Sequence, residues 1–192
     1  MKALFLFMYL WSVVQRVVEL LIARSNEKKL LARGGRIVGQ DHYKWLVGAQ
    51  VTFMVIWLAE FLLHPRLSPY AGLYILAYSL ILGLRIWTMR SLGEFWNTKI
   101  IVLPGATLQQ RGPYKWMKHP NYVIVFMEML LLPLMFQAYV TAFCGIFLQS
   151  VALRMRLPIE EQALQESTTE AAAMMYQEKH KFFPSWRTRK FQ

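Results

Sequence analysis

Long runs without a charged side chain decide what this sequence can become. Leu67–Leu84 carries none, and Asn121–Leu153 carries only Glu128. Ala3–Gln15 and Leu46–Ala59 are also uncharged, and each continues past one or two charged positions as apolar, helix-like sequence. About 20 residues of helix cross the hydrocarbon layer of a bilayer, so runs of this length read as membrane helices. The expected fold class is all-α: a polytopic integral membrane protein with about five transmembrane helices. Composition agrees, because 56% of the 192 residues are hydrophobic, more than is usual in a soluble domain.

The spans are expected at 3–23, 44–63 and 70–89. The prolines of His64-Pro65-Arg66-Leu67-Ser68-Pro69 suit a tight turn between the second and third. The next apolar run, Asn121–Leu153, has 33 residues, too long for one ordinary crossing. Pro133 and the polar break Gln137–Tyr139 divide it, which predicts a helical hairpin over 122–136 and 138–155. A polar tail follows, helical through 159–179 and ending basic and aromatic over 179–186. The chain reads as a single membrane domain, 1–192, with three N-terminal helices in 1–89 and a core in 90–192. The first span runs into Arg16 and Glu19 without a small-residue cleavage pattern, so no cleaved signal peptide is expected.

The formal net charge is +11. These charges gather at helix ends and in loops, which favours membrane topology and anionic head groups over nucleic acid. Lysines and arginines crowd the loop after the first span, the loop after the third and the C-terminal tail. The positive-inside rule then places all three in the cytoplasm and the N-terminus outside. Cys144 is the sole cysteine, so no internal disulfide is possible, and no metal-ligand spacing surrounds it.

Three constellations stand out. Gly112-Pro113-Tyr114-Lys115-Trp116-Met117-Lys118-His119-Pro120-Asn121-Tyr122 is a basic, aromatic turn at the foot of an apolar run. It suits either an interfacial belt anchoring a helix or a ligand-holding turn, since His and Tyr supply donors, acceptors and aromatic faces. Arg154-Met155-Arg156-Leu157-Pro158-Ile159-Glu160-Glu161 lies where the hairpin re-emerges. Arg156 and Glu160, spaced i, i+4, share a helix face unless Pro158 distorts that turn. They form either a solvated salt bridge or a site holding an anionic group with the arginine and a hydroxyl or amine with the carboxylate. Arg16 and Glu19 lie three apart within the first span and read as a structural ion pair. Gln50, Glu60 and Glu128 either line a cavity or make interhelical hydrogen bonds. Arg24-Ser25-Asn26-Glu27 and Gly34-Gly35 read as loop punctuation. No Gly-x-Gly-x-x-Gly motif after a strand, Walker loop, zinc spacing or serine elbow is present.

The pattern Arg111-Gly112-Pro113-Tyr114, then Lys118-His119-Pro120-Asn121-Tyr122, then an apolar hairpin and Arg156 with Glu160-Glu161, resembles the isoprenylcysteine carboxyl methyltransferase family. Lys118 stands where the family usually has arginine. The resemblance covers roughly residues 85–185. The N-terminal half, with Arg16, Glu19, Arg24, Asn26, Gly34, His42 and Tyr43, looks like a bacterial branch. Some of its members O-methylate long-chain alkylpyrones or alkylresorcinols made by type III polyketide synthases. The resemblance implies an integral-membrane enzyme in a bacterial cell membrane that binds S-adenosyl-L-methionine (SAM) without a Rossmann sheet. Carried over by position, it implies cofactor contacts at Ala106, Thr107, Leu108, Gln109, Tyr114, His119, Pro120, Asn121, Tyr122 and Glu160. It also implies catalytic roles for Arg156 and His119, Arg156 facing the reacting end of a lipophilic or prenylated substrate, and no metal.

Methyl transfer from an already electrophilic sulfonium needs chiefly proximity and alignment. A carboxylate or an ionised hydroxypyrone needs no strong base, and Arg156 suits either, so an acidic acceptor oxygen is expected. Membrane phospholipid N-methyltransferases and NADPH-dependent sterol reductases share the His-Pro-x-Tyr layout and are the competing readings. A neutral amine would make Arg156 a poor neighbour, and a reductase should have more helices before the motif. A non-enzymatic membrane protein would leave both polar clusters as helix-end decoration.

Overall fold

The computed structural model describes residues 1–106, 109–167 and 181–182, with backbone alone at 40–42. Five helices account for most of them: α1 (Lys2–Ala32), α2 (Gln40–Leu63), α3 (Ala71–Leu92), α4 (Pro120–Met135) and α5 (Tyr139–Ser167). Two short strands, β1 (Arg36–Val38) and β2 (Ile100–Val102), and two 3-10 turns, Gly93–Phe95 and Gly112–Lys115, complete the described elements. In lipid every backbone N–H and C=O must pair within its own segment, and helices achieve this. Four helical stretches are long and apolar enough to cross a membrane: Lys2–Ala32, Tyr43–Leu63, Ala71–Phe95 and Tyr139–Ser167. The first arm of the expected hairpin, α4, is shorter at 16 residues; it rises about 24 Å, less than the ~30 Å hydrocarbon core.

Consecutive helices run in opposite directions, so the molecule has two polar ends. At one end Ser68 N–H donates to the Met135 carbonyl over 2.9 Å. There too Glu60 of α2 caps α5: its carboxylate accepts from Val140 N–H at 3.1 Å, Thr141 N–H at 2.7 Å and Thr141 Oγ1 at 2.6 Å. Glu60 therefore makes an interhelical bond. An aromatic cluster lies just inside this end, where Phe5, Trp57, Phe61 and Phe136 are buried together. Farther along, Gly145 lets α5 close on α2, since a Cβ there would sit 2.7 Å from Phe53 Cδ2.

A charged network holds the middle. Arg85 of α3 is 3% exposed and bridges Glu19 of α1 and Glu128 of α4. Arg16 bonds the same two carboxylates at 2.9 and 2.7 Å. Gln15 donates to both, at 3.2 and 3.1 Å, and accepts from Tyr78 Oη at 3.1 Å. Two cations meet two anions, so the cluster is neutral as a whole, which is how ionisable groups persist at membrane depth. The Arg16–Glu19 pair is as the spacing suggests, but Arg85 adds the link to α3. Gln50 lines a small cavity beside this network with Ser12 and Tyr78.

At the other end the structure corrects two expectations. The first helix does not stop near Ala23: it continues through Ala32, about 46 Å from end to end at 1.5 Å per residue. Arg24–Glu27 is therefore helical, not loop punctuation. Asn26 is buried, and its amide donates to the carbonyls of Gly93 at 3.2 Å and Trp96 at 2.8 Å. Its last turns hold because they have a partner. Glu27 pairs with Lys99 at 2.7 Å, and Arg33 pairs with Glu94. The two strands are too short to show a periodic pattern in sequence. They pair antiparallel in the register Arg36↔Val102, Ile37↔Ile101, Val38↔Ile100 and so join the α1–α2 connection to the α3–α4 connection. The helix of the second hairpin arm also does not end at Met155: α5 runs on through Pro158, which lies on its exposed side, to Ser167. The expected helix beyond Ser167 lies outside the described residues.

Replacing Arg85 by Leu leaves Glu19 and Glu128 short of a buried cation. Removing one partner of a buried pair typically costs about 3–5 kcal/mol, so R85L should melt well below wild type in detergent; an unchanged melting curve would show the network to be idle. Glu60→Ala uncovers the first N–H groups of α5 and should cost about 1–2 kcal/mol, read by the same melt.

Candidate functional site

The polar end carrying β1 and β2 opens into a cleft of about 1220 Å³, counting its mouth. Four pieces of chain wall it: residues 95–103 with β2, Ala106 with the stretch 109–117, the start of α4 and the last turns of α5. Each has a reason to be there. Gly93, at φ +54° and ψ −121°, ends α3 in a backbone conformation that glycine adopts without the strain a Cβ would bring. Asn26 then grips the turn that follows. Gly112, also at φ +54°, lies so close to α3 that a Cβ would meet Ser91 Oγ at 2.0 Å. This seats the 3-10 turn Gly112–Lys115 on α3, and Trp116 packs edge-on against Trp87 at 5.9 Å. Pro120 starts α4 at its first position, where its missing N–H is no loss.

Antiparallel packing of α4 and α5 brings the two sequence clusters together. Tyr122 Oη donates to Glu160 Oε2, and Arg156 Nε donates to the same oxygen at 3.1 Å. Arg156 Nη1 donates to the Thr98 carbonyl at 2.6 Å, and its guanidinium lies 6.0 Å from the centre of the Tyr122 ring. The i, i+4 spacing of Arg156 and Glu160 thus survives Pro158. Arg154, two residues earlier, is exposed and on another face, whereas Arg156 is 8% exposed. The His119 ring stacks on Tyr122 with centroids 5.2 Å apart. Its Nε2 is 3.2 Å from Glu161 Oε1, and its Nδ1 is 4.0 Å from Glu160 Oε1. The tail returns here: Lys181 accepts from His119 N–H at 3.1 Å, and its Nζ is 3.0 Å from Glu161 Oε2. Lys118 is buried beside this group; burial pulls its ammonium below the ordinary lysine range, and Glu161 opposes that pull.

Most of the residues singled out from sequence meet at this cleft. Ala106, Gln109, Tyr114, His119, Asn121, Tyr122, Arg156 and Glu160 line it. Pro120 is fully buried in the first turn of α4, behind the wall. Thr107 and Leu108 lie outside the described residues. Sequence reading missed Trp96, Asn97 and Thr98, which also shape the site. Nothing in their order marks them, because Asn26, far away in sequence, places them. Among the described residues three polar atoms on or beside this wall are buried with no protein partner: Trp96 Nε1, Asn97 Nδ2 and Asn121 Oδ1. Sealed, unpaired donors and acceptors are costly, so these three atoms mark a strained part of the wall. Among the described residues no group of three or more His, Cys, Asp or Glu could hold a metal ion.

Known proteins are similar to this chain in sequence. The uncharacterized protein YpbQ of Bacillus subtilis (strain 168) is 43% identical over 155 residues, 80% of this chain and 92% of its own length. An uncharacterized protein of Haemophilus influenzae is 29% identical over 153 residues, 78% of this chain and 88% of its own. Residues 71–166, which include α3, the cleft wall, both hairpin arms and the Arg156–Glu160 pair, match the isoprenylcysteine carboxyl methyltransferase profile. This chain therefore belongs to the isoprenylcysteine carboxyl methyltransferase family, and is an integral-membrane methyltransferase.

Proposed function

We propose that the chain is a SAM-dependent O-methyltransferase whose acceptor is a lipophilic molecule with an acidic oxygen, either an isoprenylcysteine-type carboxylate or a long-chain alkyl-hydroxypyrone. The supporting observation is the buried junction of Arg156, Glu160, Tyr122 and His119 on one wall of the cleft. Family membership supports the cofactor. When bound, SAM supplies an electrophilic methyl on a sulfonium. The chain's own residues then have three tasks.

Glu160 presents a carboxylate braced from two sides, by the Tyr122 hydroxyl and by Arg156 Nε, so it does not swing when a ligand ammonium or hydroxyl meets it. His119, stacked on Tyr122, fixes the rim between Glu160 and Glu161. Arg156 holds the acceptor oxygen: its guanidinium has five N–H donors, more than the Glu160 and Thr98 contacts consume. In this buried setting its charge favours an ionised acceptor oxygen and aims that oxygen at the cofactor side of the cleft, which is the alignment that displacement needs. A carboxylate or hydroxypyrone arrives already ionised, so no residue has to act as a strong base. The apolar tail of the acceptor would lie along the helices or in lipid. Basic residues of the loops at this end fit a cytoplasm-facing site with the N-terminus outside.

Calorimetry with purified protein in detergent tests the cofactor. Glu160→Gln and His119→Ala should each weaken SAM binding by about 10- to 100-fold while the helical circular dichroism stays unchanged. Binding of NADPH in place of SAM by the wild type would sink the proposal. For the acceptor, Arg156→Ala should lower methylation of N-acetyl-S-farnesylcysteine or a 6-alkyl-4-hydroxypyrone by at least about 100-fold, with a much smaller change in SAM affinity. Equal losses of both would remove Arg156 as the acceptor anchor.

A further inference from the structure

The turn that walls the cleft has a second, outward face. Tyr114 and Met117 line the cleft, whereas Lys115 and Trp116 between them are exposed. The outward face lies on the last turns of α3. A Cβ on Gly112 would meet Ser91 Oγ at 2.0 Å and Trp87 Nε1 at 3.1 Å, so turn and helix touch there. Arg90 and Arg111 directly precede Ser91 and Gly112, and both are exposed. Trp87 shares a helix face with Arg90 at i, i+3 and packs edge-on against Trp116 at 5.9 Å. Arg90, Arg111 and Lys115 thus flank a pair of indoles that are 47% and 37% exposed.

Depth and charge say what this face meets. Counted from Ala71, Trp87 lies about 24 Å and Arg90 about 28 Å along α3, at the far edge of a ~30 Å hydrocarbon core. Indoles at that level sit at the headgroup boundary. The charge there has one sign. Residues 86–93 and 105–119 contain no aspartate or glutamate, and Glu94 is taken by Arg33. Among the described residues none of the three cations has a hydrogen-bond or ion-pair partner. A zwitterionic headgroup would set its own ammonium against them, whereas an anionic one brings only the countercharge.

We propose that this face binds an anionic phospholipid, its phosphate held by Arg90, Arg111 and Lys115 and its upper acyl chain laid against Trp87 and Trp116. The turn that carries Lys115 outward carries Tyr114 inward, so the bound lipid braces the wall of the cleft from behind. The site does not depend on what the cleft binds.

The test reads tryptophan fluorescence of the whole protein in phosphatidylcholine vesicles doped with brominated phosphatidylglycerol or with brominated phosphatidylcholine. Bromine quenches the indoles it reaches, so the two titrations give the relative affinity of the two headgroups. The wild type should prefer phosphatidylglycerol by at least about fivefold, the effect of one cation near an anionic surface. R90Q/R111Q/K115Q should bring that preference toward one with an unchanged melting curve, since all three side chains are exposed. R24Q/K28Q/K29Q removes as many exposed cations from α1 and should keep most of the preference. Equal quenching by both lipids in the wild type overturns the site. So does a preference that survives R90Q/R111Q/K115Q, or one that falls equally in R24Q/K28Q/K29Q, which would make it a diffuse effect of net charge. Loss of the preference on adding inorganic phosphate at constant ionic strength would assign the cations to a free anion and overturn the lipid.

Discussion

Everything at the functional end depends on a charge arrangement buried in the middle of the bundle. Arg16, Glu19, Arg85 and Glu128 come from three helices, and none of the four has its charge compensated by sequence neighbours alone. Each carboxylate meets both arginines. Ion pairs in a low-dielectric interior resist separation, because pulling one partner away strands the other. Sliding α4 along α3, or α1 along either, would break several such bonds at once. The network therefore sets the axial register of α1, α3 and α4. That register carries Asn26, Trp96 and Tyr122 to one level at the end of the bundle.

The parts of this structure that were legible in sequence are those written locally. Apolar runs located the helices, because length and lack of charge suffice for that. Gly112–Tyr122 was visible as a turn, and Arg156 with Glu160 as a shared helix face, because turn chemistry and i, i+4 spacing are short-range properties. Asn26 shows what was not legible. By composition it sits in a polar stretch that looks like the end of a helix. The helix continues because partners 61 to 72 residues away complete it: Gly93, Trp96, Lys99 and Glu94. Arg85 was similarly silent, a single charge within a span whose meaning appears only once Glu19 and Glu128 face it. Three-residue strands have no period to detect, and their pairing is wholly long-range.

The candidate site divides along the same line. Its charged half is a property of α4 and α5, adjacent in sequence and joined by a three-residue bend at 136–138. Its neutral half is built on the stretch after α3 and is shaped by a helix outside the family-matched region, since that match begins at residue 71 and Asn26 precedes it. A chemistry common to the family can thus be carried by the hairpin, while the fit of the opposite wall is set by α1.

The length of α1 has a further consequence. A helix of 31 residues overshoots a hydrocarbon core of about 30 Å by roughly 16 Å, and the overshoot is the part that clamps Trp96. A helix longer than its bilayer responds to thickness by tilting. For α1 that excess length is held by protein: Asn26 bonds the carbonyls of Gly93 and Trp96, and Glu27 pairs with Lys99. The last turns of α1 thus belong to the frame of the cleft rather than to the span.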